Sequence, residues 1–303
     1  MLITDNIRLS RILKNTWKVD LVMIASSIIA YLSNRLLISH HFEIPVIIPT
    51  VLGTAIAFFI GFNNNQAYDR WWEARKIWGA LVNDSRSWAR SILEYPSGGD
   101  ASEEELTVLK HRMVRRQIAF VYALKATLRR LPDNTWQSYL SDDDIDQVQD
   151  QANIQNALLH LQARDLQRLS AHGAIDGYRL MQLDNILGRI TDEMGMSERI
   201  ANTVFPTTYS YLTKAFIWIF VVSIALVTAQ SVGKWSVFIS AIIGFVFVST
   251  QINGMNLVNP FSTNSAAIPL NQISRTIEIN LLQMMGEQEV PPPVTPVNDE
   301  YVL

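Results

Sequence analysis

Four long apolar runs, set in two close pairs, divide the chain. Residues 21–38 (LVMIASSIIAYLSNRLLI) are apolar apart from their serines, Asn34 and Arg35. Crossing a hydrocarbon layer takes about 20 such residues, and an arginine near the end of a span can snorkel to the surface. Residues 44–62 (IPVIIPTVLGTAIAFFIGF) carry no charge, and Pro45, Pro49, Gly53 and Gly61 are tolerated where neighbouring helices cover the freed backbone. The second pair, Ala215 to Val232 and Trp235 to Ile252, is split only by Gly233 and Lys234 and predicts a helical hairpin. Arg8, Arg11, Lys14 and Lys18 precede the first run, and Arg70, Arg75, Lys76, Arg86 and Arg90 follow the second. By the positive-inside rule both termini and the middle segment are cytoplasmic.

The pattern changes at residue 63. From there to 211 the apolar positions recur at three- and four-residue spacing between charged faces, which predicts helices and no strands. The stretch Tyr68 to Leu93 is amphipathic and free of proline, so the second span should continue as one long helix as far as Pro96 to Gly99. Ser102 followed by Glu105 is a capping-box signature opening a helix that Leu131-Pro132 closes. Further helices are expected over about Ile154 to Ala171 and Tyr178 to Arg199, and a last amphipathic one from Pro269 to Met285. The expected organisation is 1–62 with the first two spans, 63–211 as a cytoplasmic helical region, 212–252 with the last two spans, 253–286 ending in a cytoplasmic helix, and 287–303 as a proline-rich disordered tail. The fold class is all-α, with membrane and cytoplasmic layers built from the same long helices.

Composition agrees: 49% of the 303 residues are hydrophobic and 17% charged, more apolar material than a water-soluble core needs. The net charge of −3 offers nucleic acid no field, and the absence of cysteine removes disulfides, thiolate metal sites and a cysteine nucleophile. There is no P-loop, no dinucleotide fingerprint and no H-E-x-x-H. The five histidines, His40, His41, His111, His160 and His172, lack ligand spacing, and Asp142, Asp143, Asp144 and Asp146 read as the negative start of a helix. No cofactor, metal or enzymatic chemistry is expected.

The informative stretch is the second span. Thr54, Phe58 and Phe62 recur every four residues and share one helix face, and Asn63, Asn64, Asn65 and Gln66 follow at once. Such a stripe is either a helix-packing seam or a hydrophobic constriction opening into a wetted vestibule. One chain supplies one wall, so a pore needs several subunits about an axis. Arg70-Trp71-Trp72-Glu73 reads as interface anchoring and ion pairing.

These residues resemble the bestrophin family, in particular its bacterial members. The resemblance rests on Gly53 to Phe62 with Asn64 to Gly79, on Glu198 to Thr203 with Phe205-Pro206 and Tyr209, and on Asn259-Pro-Phe261 with Ile268 to Leu270 and Arg275 to Leu282. It implies a homopentameric, non-enzymatic channel for small monovalent ions in the bacterial inner membrane, with an axial pore. Its neck would fall on Thr54, Phe58 and Phe62, its second, cytoplasmic constriction at Tyr178, and a vestibule at Asn65, Gln66 and Asp69. Thr54 stands where the resemblance implies an apolar residue. The calcium clasp of animal members would fall on Ser262 to Ala267, which holds no carboxylate, so calcium gating there is not expected. Cation permeation is expected, because the bacterial members it resembles look cation-permeable and a ring of Asp69 carboxylates would favour cations. A chloride channel is the alternative ion sign, and a membrane-anchored scaffold or regulator the alternative of another class.

Overall fold

The computed structural model describes residues 9–38, 44–100, 102–297 and 301–302. Arg8, His40 and His41 lie outside them. Among the described residues the chain is helical, and its only strand-like pairing is an isolated bridge between Val297 and Tyr301. The helices are α1 (Leu9–Ser33), α2 (Ile47–Glu94), α3 (Glu103–Arg129), α4 (Asp142–Val148), α5 (Ile154–Ala171), α6 (Gly177–Asn202), α7 (Thr207–Val232), α8 (Trp235–Met255) and α9 (Leu270–Met284). A π-turn, Asn34–Ile38, continues α1, and a 3-10 turn, Thr135–Tyr139, precedes α4.

The chain separates into two compact units: a span unit, Thr4–Trp71 with Val204–Asn259, and a polar unit, Trp72–Thr203 with Pro260–Leu303. Among the described residues four helices are long and apolar enough to cross a membrane, Thr16–Leu36, Ile47–Glu94, Thr208–Val232 and Trp235–Met255. The third begins earlier than its apolar run, because the helix starts directly after Pro206, whose ring cannot continue a helix from the N-terminal side. Pro49 sits in the first turn of α2, where a missing N–H breaks no bond. Met23, Ile56, Ile60, Ile217, Phe220, Val221, Ile224 and Val248 form the core between these helices. Gly53 admits the Phe220 ring against the α2 backbone, since a Cβ there would lie 2.8 Å from it. The one amide inside the first span is not left bare: Asn34, 3% exposed, donates to the Leu226 carbonyl at 3.0 Å.

The polar unit is built around α3. Its start is the expected capping box, with the Ser102 backbone N–H donating to Glu105 and the Glu105 N–H to Ser102 Oγ. Its end is Arg130 in the left-handed region at φ 54°, one residue before Leu131-Pro132. Trp78 and Trp88 of α2 are fully buried, as are Met113, Val114 and Ile118 of α3. At the centre lies a buried ion network. Arg116, 1% exposed, bonds Asp144 through Nη2 at 2.8 Å and Asp165 through Nη1 at 2.8 Å, and Asp165 also takes Arg112 at 3.2 Å and Arg168 at 3.0 Å. Asp142 and Asp143 occupy the first turn of α4 as expected of a helix start, whereas Asp144 turns inward to this arginine.

The block Arg275 to Leu282 acquires a physical role as the anchor of α9. Glu278, 2% exposed, accepts from the Tyr122 and Tyr139 hydroxyls and pairs with Arg275 at 3.0 Å. Asn280 accepts from Arg86 at 2.6 and 2.8 Å, and Asn271 from Arg129 at 2.8 Å. Beyond α9, Glu287 pairs with Arg115 at 2.6 Å.

Candidate functional site

Along the membrane-spanning part of α2 the two faces have opposite fates. Ile56 and Ile60 are 1% and 4% exposed within the core, while Phe58 and Phe62, two residues on from each, are 71% and 56% exposed. The helix repeat of 3.6 residues sends these alternate pairs to opposite sides. Thr54 is exposed on the same stripe, and its hydroxyl donates to the Thr50 carbonyl at 3.0 Å, so little of its polarity is offered outward. The Phe58 and Phe62 rings stack with centroids 6.4 Å apart and planes 21° from parallel. Phe59, beside them, turns back toward Phe216 of α7 at 6.5 Å. Of the four candidate spans, α2 is least covered by its own chain, with 17% of its apolar window buried against 33% for α7.

The polar residues after Phe62 divide. Asn63 donates to Thr213 Oγ1 at 3.4 Å and Asn64 to the Thr250 carbonyl at 3.2 Å, tying α2 to α7 and α8. A Cβ on Gly254 would fall 1.7 Å from Asn64 Oδ1, so the glycine makes room for that amide. Asn65, Gln66 and Asp69 stay exposed and extend the Phe58 and Phe62 stripe by the next turns. The three asparagines and Gln66 therefore divide into two bonded within the span unit and two exposed, which residue type alone does not distinguish.

Tyr178, in the polar unit, is 85% exposed at the first turn of α6. Asp176 caps that turn, accepting from the Tyr178 and Arg179 N–H groups at 2.9 Å each, and fixes where the ring begins. Glu73 pairs within the chain with Arg199 at 2.6 Å.

Among the described residues no group of three or more His, Asp or Glu side chains could hold a metal. Titratable groups outside the spans are structural in setting. Asp84 takes both Nε and Nη2 of Arg189, and Glu193, 3% exposed, sits beside them. Burial, with the Asp84 carboxylate next to it, pushes the Glu193 carboxyl up to about 9, so it is protonated near neutrality. Burial also raises the Tyr122 and Tyr139 hydroxyls, reinforced by Glu278.

The four candidate spans and the helical polar unit define the class as that of helical membrane proteins. More specifically, the chain belongs to the bacterial and fungal bestrophin family, whose model, described as "Bacterial/Fungal Bestrophin protein", matches residues 5–283. It is 31% identical over 288 residues to "Voltage-dependent anion channel-forming protein YneE" of Escherichia coli (strain K12), covering 89% of this chain and 92% of that one. The Salmonella typhi protein of the same name is 31% identical over 243 residues, 80% and 77% of the two chains. The crystal structure of a bacterial bestrophin homolog from Klebsiella pneumoniae superposes with a TM-score of 0.81 at 27% identity, over 89% of this chain and 98% of that one.

Proposed function

We propose that the chain is the pore-forming subunit of a homopentameric channel for small monovalent ions, not an enzyme. The carrying observation is that the stripe of Phe58 and Phe62, exposed on a helix whose opposite face is core, runs on into exposed Asn65, Gln66 and Asp69. Aromatic rings lining a narrow axis make a passage in which water is unstable, so an ion enters only when the neck widens or the ion sheds water. In this reading Thr54, Phe58 and Phe62 form the neck, and Asn65, Gln66 and Asp69 the vestibule beneath it. Tyr178 forms a second constriction in the cytoplasmic part. The chain lies in the bacterial inner membrane with both termini in the cytoplasm, as the basic flanks of the first two spans favour.

The sign of the ion is revised from the expected cation to an anion such as chloride. Relatives covering most of the chain bear names that specify anion channels. Ring chemistry supports this: the edge of a phenyl quadrupole is positive, so phenylalanine edges turned to an axis stabilise a dehydrated anion. One observation favours the cation reading, the exposed Asp69 carboxylate on the same stripe. Planar-bilayer currents in asymmetric sodium chloride test both levels. Discrete currents that reverse toward the chloride potential and change amplitude in Phe58→Ala support an anion-conducting neck. Reversal toward the sodium potential overturns the anion sign, and silence of intact oligomers of both proteins overturns the pore in favour of a membrane scaffold.

A further inference from the structure

Away from the α2 stripe, the polar unit contains a cavity of about 460 Å³ between α3 and the start of α9. Lys125, Arg129 and Arg275 line it with the Asp133 carboxylate and the neutral donors and acceptors of Thr135, Thr263 and Asn271. The cations are not equally committed. Lys125 is paired with Asp133 at 2.9 Å and lies 4.6 Å over the Tyr122 ring, and Asp133 is held besides by Thr135. Burial is outweighed by those bonds and Lys125, which bring the Asp133 carboxyl down to about 2, so Asp133 stays a carboxylate across the neutral range. Arg275 is paired with Glu278 at 3.0 Å.

Arg129 differs. Its Nη1 donates to the neutral Asn271 amide oxygen at 2.8 Å, while Nε and Nη2 are buried without any hydrogen-bond acceptor. Those two nitrogens form one edge of the guanidinium, whose parallel N–H groups match the two oxygens of a carboxylate or phosphate. A guanidinium edge removed from water and left without an acceptor is costly, which is a reason for a group that completes it to bind.

We infer that this cavity is a binding site for a small oxyanion-bearing solute, phosphate or carboxylate in chemistry, with Arg129 as its fork, Lys125 and Arg275 as flanking charges, and Asn271 as the group that orients Arg129. The unpaired edge is shielded from solvent, so the guanidinium must swing toward the cavity for an oxyanion to reach it. The site lies on different residues from the neck and does not depend on which ion the neck passes.

Titration calorimetry of the full-length oligomer in lipid nanodiscs, with inorganic phosphate in one arm and succinate in the other at constant ionic strength, tests it. Saturable binding of one probe per chain is expected, weakened at least about tenfold in Arg129→Lys, which keeps the charge but loses the fork. Whichever arm binds identifies the oxyanion class. Arg115→Gln, at the ion pair with Glu287, should bind as the wild type does. As a measurement that needs no variant, the binding probe should raise the thermal midpoint of the wild-type protein above that in sodium chloride of equal ionic strength. Absence of saturable binding in both arms overturns the site, as does undiminished binding by a folded Arg129→Lys protein. Equal weakening in Arg115→Gln also overturns it, since that marks unspecific charge attraction.

Discussion

The two units place the same residue classes in opposite positions. In the polar unit, charges lie at the centre, with Arg116, Asp144 and Asp165 all nearly inaccessible, and aliphatic and aromatic side chains close around them. In the span unit the centre is apolar, and Leu21, Ile29, Ile47 and Phe238 stand outside at more than half exposure, where a soluble domain would place charge. Hydrocarbon as solvent accounts for the exposed apolar side chains of the span unit, and mutual pairing for the buried charges of the polar unit. The contrast teaches how to read Phe58 and Phe62. Exposure in the span unit is ordinary for a side chain facing lipid, so exposure alone does not mark a pore. The stripe is distinguished by its continuation into Asn65, Gln66 and Asp69, which hydrocarbon would not accept.

The comparison can be broken by substitution. The largest effect is expected in the polar unit: Arg116→Met leaves Asp144 and Asp165 buried with their shared cation gone, at a cost of about 3–5 kcal/mol. Thermal unfolding of the variant should shift far below that of the wild type; an unchanged midpoint would mean that the network is not a buried keystone of this unit. Next, the two faces of α2 should separate. Ile56→Ala opens a hole in the span core and should cost about 2 kcal/mol, whereas Phe58→Ala should change stability by no more than about 0.5 kcal/mol while altering current. Equal destabilisation by the two would place Phe58 in a packing seam.

A pH-dependent effect sharpens the role of Glu193. Its folded pKa of about 9 exceeds the ordinary 4.5, so the folded state holds a proton that the unfolded chain releases. Its contribution is therefore complete below about pH 4.5 and is lost as pH rises through about 9. Glu193→Gln, neutral at every pH, should flatten the decline of the thermal midpoint between those limits; a decline as steep as in the wild type would assign it to other groups. A modest, local effect is expected at the α3 cap, where Ser102→Ala should cost about 1 kcal/mol, because only one backbone donor loses its partner. Denaturant or thermal midpoints resolve it, and no change would mean that water replaces the cap.

Much of this organisation is local and therefore legible in the amino-acid order. Apolar run length, the proline-free stretch through α2, the Ser102 and Glu105 cap and the breakers at Pro96, Pro132 and Pro206 act within a turn or two of themselves. They locate the spans and most helix boundaries without reference to distant residues. The short turn Thr135–Tyr139 escapes such a reading because its place depends on packing, with Trp136 buried and Tyr139 bonded to Glu278, well over a hundred residues away.

The identity of the chain's second span as the informative element was likewise available from residues 54–66, since a four-residue repeat defines a face whatever surrounds it. Which face is core and which is open was not. That division depends on Phe220 meeting Gly53, on Thr213 and the Thr250 carbonyl claiming Asn63 and Asn64, and on Gly254 making room. These partners lie between about 150 and 190 residues further along the chain. The same holds for Arg129, an ordinary basic residue in sequence, whose one bond to Asn271 and two unanswered donors exist only once α9 is folded against α3. By itself the sequence determined the helices, the spans and the stripe, because propensity and periodicity are short-range. Tertiary structure alone decided which polar groups are satisfied and which are left facing a partner, because satisfaction depends on distant residues brought within hydrogen-bond distance.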